Sequence, residues 1–152
     1  MKARRPRGTG KATAPAAGRR LTAADWKELV TAAREARRRA HAPFSKYPVG
    51  AALRTRDGRI ITGCNVENAS YGLTLCAERL AVFKAVSEGI KEFDAIVVVV
   101  DSPKLASPCG ACRQILWEFC GDIPVRMENL RARTLTRRLS RLLPLPFDSD
   151  NL

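Results

Sequence analysis

Two cysteine stretches constrain this chain most: Cys76-Ala77-Glu78-Arg79 and Pro108-Cys109-Gly110-Ala111-Cys112. They are far apart in sequence, so any fold that uses them together has to bring both to one place. Three thiolates suffice to hold Zn²⁺ and leave its fourth position open for water. Glu78, two residues after the first thiol and not itself a ligand, is then placed to move protons while the metal activates that water.

The surrounding pattern predicts helices that begin at those thiols. Cys76 to Glu88 reads as a helix closed by Gly89, apolar almost all round through Leu80, Ala81, Val82, Phe83, Ala85 and Val86, and therefore largely buried. Gly110 to Phe119 reads as a second helix with Ile115, Leu116 and Phe119 inward. Amide groups at a helix start are unpaired and carry partial positive charge, which stabilises thiolates. Two such starts would offset the charge of three thiolates, whose sum with Zn²⁺ is negative. Arg79 is placed to donate to a ligand sulfur.

Further along, Thr22 with Asp25 marks a helix start. Trp26, Leu29, Val30, Ala33, Ala36 and Ala40 follow at helical spacing, and Pro43 is the expected stop. Arg34, Arg37, Arg38 and Arg39 read as a solvated face of that helix. Val49 to Arg56 and Arg59 to Asn65 read as strands joined by Asp57-Gly58. Ala95 to Val100 is β-branched and uninterrupted, as in a central strand covered on both faces. A short strand is expected at Ile123 to Met127 and a last helix at Thr136 to Leu143, stopped by Pro144. Helices alternating with strands after an initial hairpin predict a mixed sheet with helices on both sides.

Charge divides the chain. The formal net charge is +12, of which residues 1–20 carry +7 with no acid, leaving +5 for residues 21–152. The first twenty residues read as a disordered basic tail, rich in Ala, Gly, Pro and Thr and without aromatic residues. Residues 21–152 read as one catalytic domain. The longest apolar run is too short to span a membrane, and no apolar segment follows the basic start, so neither a membrane anchor nor a secretory signal is expected. An odd count of five cysteines with a Cys-x-x-Cys fits a metal or redox site in a reducing, cytoplasmic compartment.

The bland alternative for the three thiols is a closed structural zinc site with a fourth ligand. His41, the single histidine, sits in an Arg-rich segment without ligand spacing. Cys64 and Cys120 lack a pairing motif and read as buried apolar thiols. One histidine also argues against a Ser-His-Asp hydrolase.

The order of Cys76, Glu78 and Pro108-Cys109-x-x-Cys112 resembles the zinc nucleobase deaminases. With Asn65-Val66-Glu67-Asn68-Ala69-Ser70-Tyr71 ahead of it, the chain from about Ser45 to Phe147 resembles the homotetrameric zinc-dependent cytidine deaminases. The resemblance implies a three-layer α/β/α sandwich with a five-stranded mixed sheet. It also implies hydrolytic deamination of cytidine and 2′-deoxycytidine in pyrimidine salvage, with one zinc per chain. Cys76, Cys109 and Cys112 would be the ligands, Glu78 the proton shuttle and Arg79 a donor to a ligand sulfur. Asn65 and Glu67 would bond the ribose 3′-hydroxyl, and Phe44 would pack near the base. The Ala69 backbone and Tyr71 would serve the 5′ side across subunits, and Phe147 would reach a neighbour's pocket. On their own residues, without that motif, Asn65 and Asn68 read as a turn.

Two alternatives share the zinc motifs. One is a deaminase of a modified cytosine nucleoside, of the blasticidin type, against which the Asn65 to Tyr71 run argues. The other is a nucleic-acid-binding or editing protein that uses the basic tail. Cys76 argues against it, since editing deaminases usually have His as first ligand. Residues 102–107 and the Arg-rich run from Arg131 to Arg141 match no motif.

Overall fold

The computed structural model describes residues 20–152. The expected basic tail lies outside the described residues except for Arg20, which is exposed.

Thr22 and Asp25 form a reciprocal cap. The Asp25 amide donates to Thr22 Oγ1 at 3.2 Å, and the Thr22 amide donates to Asp25 Oδ2 at 2.8 Å. Helix α1 (Ala23–Arg37) follows. It stops well short of Pro43, so Ala40 lies beyond it. The chain is instead drawn out beside Val66: the His41 amide donates to the Asn65 carbonyl and the Glu67 amide to the His41 carbonyl. Arg34 pairs with Glu128 at 2.8 Å, Arg37 with Asp101 at 3.6 Å and Arg38 with Glu35 at 3.5 Å. The arginine face is thus partly neutralised.

Strands β1 (Val49–Thr55) and β2 (Ile60–Cys64) form the expected hairpin, and β3 (Phe93–Val100) is buried along its whole length. Helix α2 (Ala77–Ser87) links β2 to β3, and α3 (Gly110–Cys120) links β3 to β4 (Pro124–Asn129). β3 and β4 are parallel, the form that needs such a crossover, whereas the other pairs are antiparallel. The sheet order is β2-β1-β3-β4-β5.

The fifth strand corrects the sequence reading at Thr136 to Leu143. β5 (Thr134–Arg138) pairs with β4, and only Leu139–Leu142 form a helical turn, α4. Asn129 builds the hairpin, its Oδ1 accepting from the Arg131 and Arg133 amides at 3.0 and 2.9 Å. β5 is an exposed edge strand without a buried face, so it lacks the alternation that marks strands.

Side-chain alternation along the strands separates two apolar layers. Ala52, Ala95, Val97 and Val99 meet Leu29 and Ala33 of α1. Ala51, Leu53, Ile96 and Val125 meet Ala81, Val82 and Ala85 of α2 and Leu116 of α3. The result is the expected α/β/α sandwich. Gly63 lets α2 approach β2: a Cβ there would lie 2.2 Å from the Ala77 carbonyl oxygen. Charge also fastens α1, since buried Arg54 of β1 pairs with Asp25 at 3.1 Å.

The outer surface of the α2–α3 layer departs from expectation. Phe83 and Val86 of α2 and Phe119 of α3 were expected inside, yet they are more than a third exposed. Phe83 and Phe119 meet edge to face at 6.4 Å. Within one chain, part of the apolar surface of α2 and α3 stays uncovered.

Candidate metal centre and active site

The crossovers bring the starts of α2 and α3 together. Cys76 is the N-cap of α2 and Cys109 the N-cap of α3, while Cys112 lies in the first turn of α3. Their three sulfurs lie within 4.8 Å of one another, and Cys76 and Cys109 are 4.0 Å apart. Sulfurs bound at about 2.3 Å to a tetrahedral zinc stand about 3.8 Å from each other, so the set fits the ion. Cys112 is buried, Cys76 half-buried and Cys109 exposed, which leaves one side of the cluster open.

Electrostatics support the fit. The hydrogen bond from the Cys112 thiol, followed by Arg79, pulls the Cys76 thiol down to about 5. Sharing with Cys76 pushes the Cys112 thiol up, and burial adds to the rise. A cation at this site would hold all three sulfurs as thiolates. The Arg79 guanidinium donates to the Thr74 carbonyl at 2.7 Å and lies 3.9 Å from Cys76 Sγ.

Glu78 sits in the first turn of α2, only 5% exposed. Burial pushes its carboxyl up to about 7, and the charge on Cys76 adds to the rise. A carboxyl so poised both accepts and releases protons near neutrality.

The other two cysteines stand apart. Cys120 is buried, and burial pushes its thiol above the ordinary range. Cys64 is half-buried rather than buried, with its sulfur 3.5 Å from the Arg39 carbonyl oxygen.

Asn65 and Glu67 both turn toward residues 44–49. Asn65 accepts from the Val49 amide at 2.8 Å and donates to the Tyr47 carbonyl at 3.0 Å. The Glu67 carboxylate accepts from the Phe44 and Ser45 amides at 2.9 and 3.1 Å and from the Ser45 hydroxyl. That hydroxyl, the largest influence, holds Glu67 below the usual carboxylate range. Phe44, half exposed, meets the exposed Tyr71 edge to face at 6.2 Å. Asn68 makes the turn foreseen for it, accepting from the Ser70 amide at 2.8 Å beside the exposed Ala69. Phe147 is exposed on a separate segment held to α3, by residues that no sequence motif had singled out.

Residues 24–126 match the family described as the cytidine and deoxycytidylate deaminase zinc-binding region. The chain belongs to this deaminase family. It is 47% identical over 129 residues to a cytidine deaminase of Sporosarcina psychrophila, covering 84% of this chain and 95% of that protein. A cytidine deaminase of Halalkalibacterium halodurans is 46% identical over 129 residues, with 84% and 98% covered. A crystal structure of cytidine deaminase from Burkholderia pseudomallei superposes with a TM-score of 0.78 at 44% identity, covering 84% of this chain and all of that one. The family's zinc-binding description agrees with the three-thiol cluster.

Proposed function

We propose that this chain is a cytidine deaminase, converting cytidine and 2′-deoxycytidine with water to uridine and 2′-deoxyuridine and ammonia. The carrying observation is the buried Glu78 carboxyl beside three converging thiols at two helix starts. Zinc held by Cys76, Cys109 and Cys112 would supply the Lewis acidity that makes a water nucleophilic near neutral pH. Glu78 takes the proton of the attacking water and delivers it to ring N3. It then moves the remaining proton of that water, by now on the oxygen bonded to C4, to the C4 amino group, which leaves as ammonia as the carbonyl forms. Its burial keeps those protons from bulk solvent. Arg79 steadies the Cys76 thiolate from its anchor on Thr74. Glu67 offers its remaining lone pairs to the ribose 3′-hydroxyl, Asn65 completes that contact, and Phe44 packs by the base. Ala69 and Tyr71 serve the 5′ side.

The assembly is a homotetramer with composite sites. Phe83, Val86 and Phe119 leave an apolar face on α2 and α3 that a second copy would cover. Phe147 would close a neighbour's pocket. A chain ending at Pro146 is expected to bind cytidine more weakly while keeping zinc. Mixed with a Glu78→Gln chain it should regain part of the activity, each supplying what the other lacks. A fully active monomer in sedimentation at assay concentration would end the composite reading.

The setting is pyrimidine salvage in the cytoplasm. The five cysteines are free, which suits a reducing compartment, and among the described residues no helix is long and apolar enough to cross a membrane. The test is a spectrophotometric assay of cytidine, deoxycytidine and cytidine monophosphate, with zinc analysis of the same protein. We expect turnover of both nucleosides, preference over the nucleotide, and about one zinc per chain. A zinc-loaded protein inert toward cytidine would refute the assignment. Deleting residues 1–20 should leave the rate nearly unchanged. The cut spares Leu21, which packs on the α1 side of the core, and the Thr22 cap. The same tail gives no more than weak, salt-sensitive binding to oligonucleotides on this reading.

A further inference from the structure

Helix α3 does more than carry two of the clustered thiols at its start. Three side chains on it, one turn past Cys109 and onward, hold the C-terminal segment. Arg113 donates from Nε to the Pro108 carbonyl at 2.7 Å, and its two terminal nitrogens donate to the Leu142 carbonyl at 2.8 Å and Ser107 Oγ at 2.9 Å. It therefore ties the loop before Cys109 to the end of α4. Trp117 Nε1 donates to Asp148 Oδ2 at 3.2 Å. Between them, Gln114 takes both backbone groups of a single residue. Its Nε2 donates to the Phe147 carbonyl at 2.5 Å, and its Oε1 accepts from the Phe147 amide at 3.3 Å.

That pairing does for Phe147 what a neighbouring strand would do. An amide side chain supplies one donor and one acceptor together, which no carboxylate or hydrocarbon of the same length does. The segment has little else to fix it by burial: Leu145 is 92% exposed and Phe147 is 60% exposed. The aromatic ring is thus presented outward from a backbone that is fixed.

We propose that Gln114 is the positioning residue for Phe147. By fixing that backbone on the helix that carries Cys109 and Cys112, it sets where the ring stands in the adjacent subunit's nucleoside pocket. The proposal rests on the reading that Phe147 closes such a pocket. Holding an aromatic wall in place before substrate arrives removes an ordering cost from binding, so its loss falls on KM more than on kcat.

The test is a double-mutant cycle on the full-length zinc enzyme with cytidine. Gln114→Ala should raise KM roughly tenfold, the order expected for losing two side-chain to backbone bonds. kcat should change far less, and zinc content should stay at the parent value. Gln114→Glu keeps the side-chain shape and removes the donor to the Phe147 carbonyl, so it should raise KM as well and serves if the alanine variant folds poorly. In a Phe147→Ala background, Gln114→Ala should add no further rise, because the ring to be positioned is gone. An unchanged KM for both Gln114 variants, with a raised one for Phe147→Ala, overturns the positioning role alone. So does a full additive effect in the double variant. An unchanged KM for Phe147→Ala removes the reading of Phe147 itself, and the positioning role falls with it.

Discussion

Glu78→Gln should lower turnover of cytidine by roughly 10²-fold or more, the usual order for removing a general acid–base. Zinc should remain at the parent level, because the three sulfurs do not depend on this carboxyl. Glutamine keeps the shape and can still accept one hydrogen bond, but it cannot take a proton and give it back. The buried site magnifies the loss, since bulk water has little access to replace the shuttle. Folding should not suffer. Burial already disfavours the Glu78 carboxylate, so a neutral isostere relieves a desolvation cost rather than adding one. Turnover, zinc by atomic absorption and the thermal melt, measured on one preparation, separate these effects. Near-normal turnover would mean that another group moves the protons.

Local pattern told most about elements whose environment is uniform. β3 is buried on both faces and reads as an unbroken apolar run. The Thr22 and Asp25 cap is written within four residues. The zinc set was legible because metal geometry demands particular residue types at particular spacings. β5 was not legible, because an exposed edge strand carries no apolar period and owes its existence to Asn129 folding the chain back on β4. Phe83 and Phe119 were misplaced for a different reason. Apolar residues all round a helix say that it wants cover, not whether the cover comes from its own chain. Asn65 and Glu67 illustrate the middle ground. Both turn toward residues 44–49, and those partners come from a different part of the sequence. Gln114 was invisible for the same reason, its partner Phe147 lying 33 residues away.

Replacing the thiols one at a time should abolish activity and remove zinc, and the three variants should differ in what else they lose. Cys109 is exposed and makes no side-chain cap bond in α3, so Cys109→Ala is the cleanest test. It should leave a folded apo protein whose melt lacks the contribution of bound metal. Cys76→Ala also removes the sulfur beside Arg79, but Arg79 keeps its bond to the Thr74 carbonyl and the α2 start should survive. Cys112→Ala acts inside the protein, where that side chain is wholly buried, so some loss of packing accompanies the loss of metal. Cys64→Ala and Cys120→Ala are the controls and should both keep zinc, since neither belongs to the sulfur cluster. Two sulfurs left at the site would still bind zinc weakly, with two further positions open to water, so zinc should be measured after dialysis against a mild chelator. Full zinc retention in any of the three ligand variants after that treatment would remove its cysteine from the site. Retention in Cys109→Ala would be the most damaging, because it would leave the start of α3 without a part in the metal centre that two converging helices are built to form.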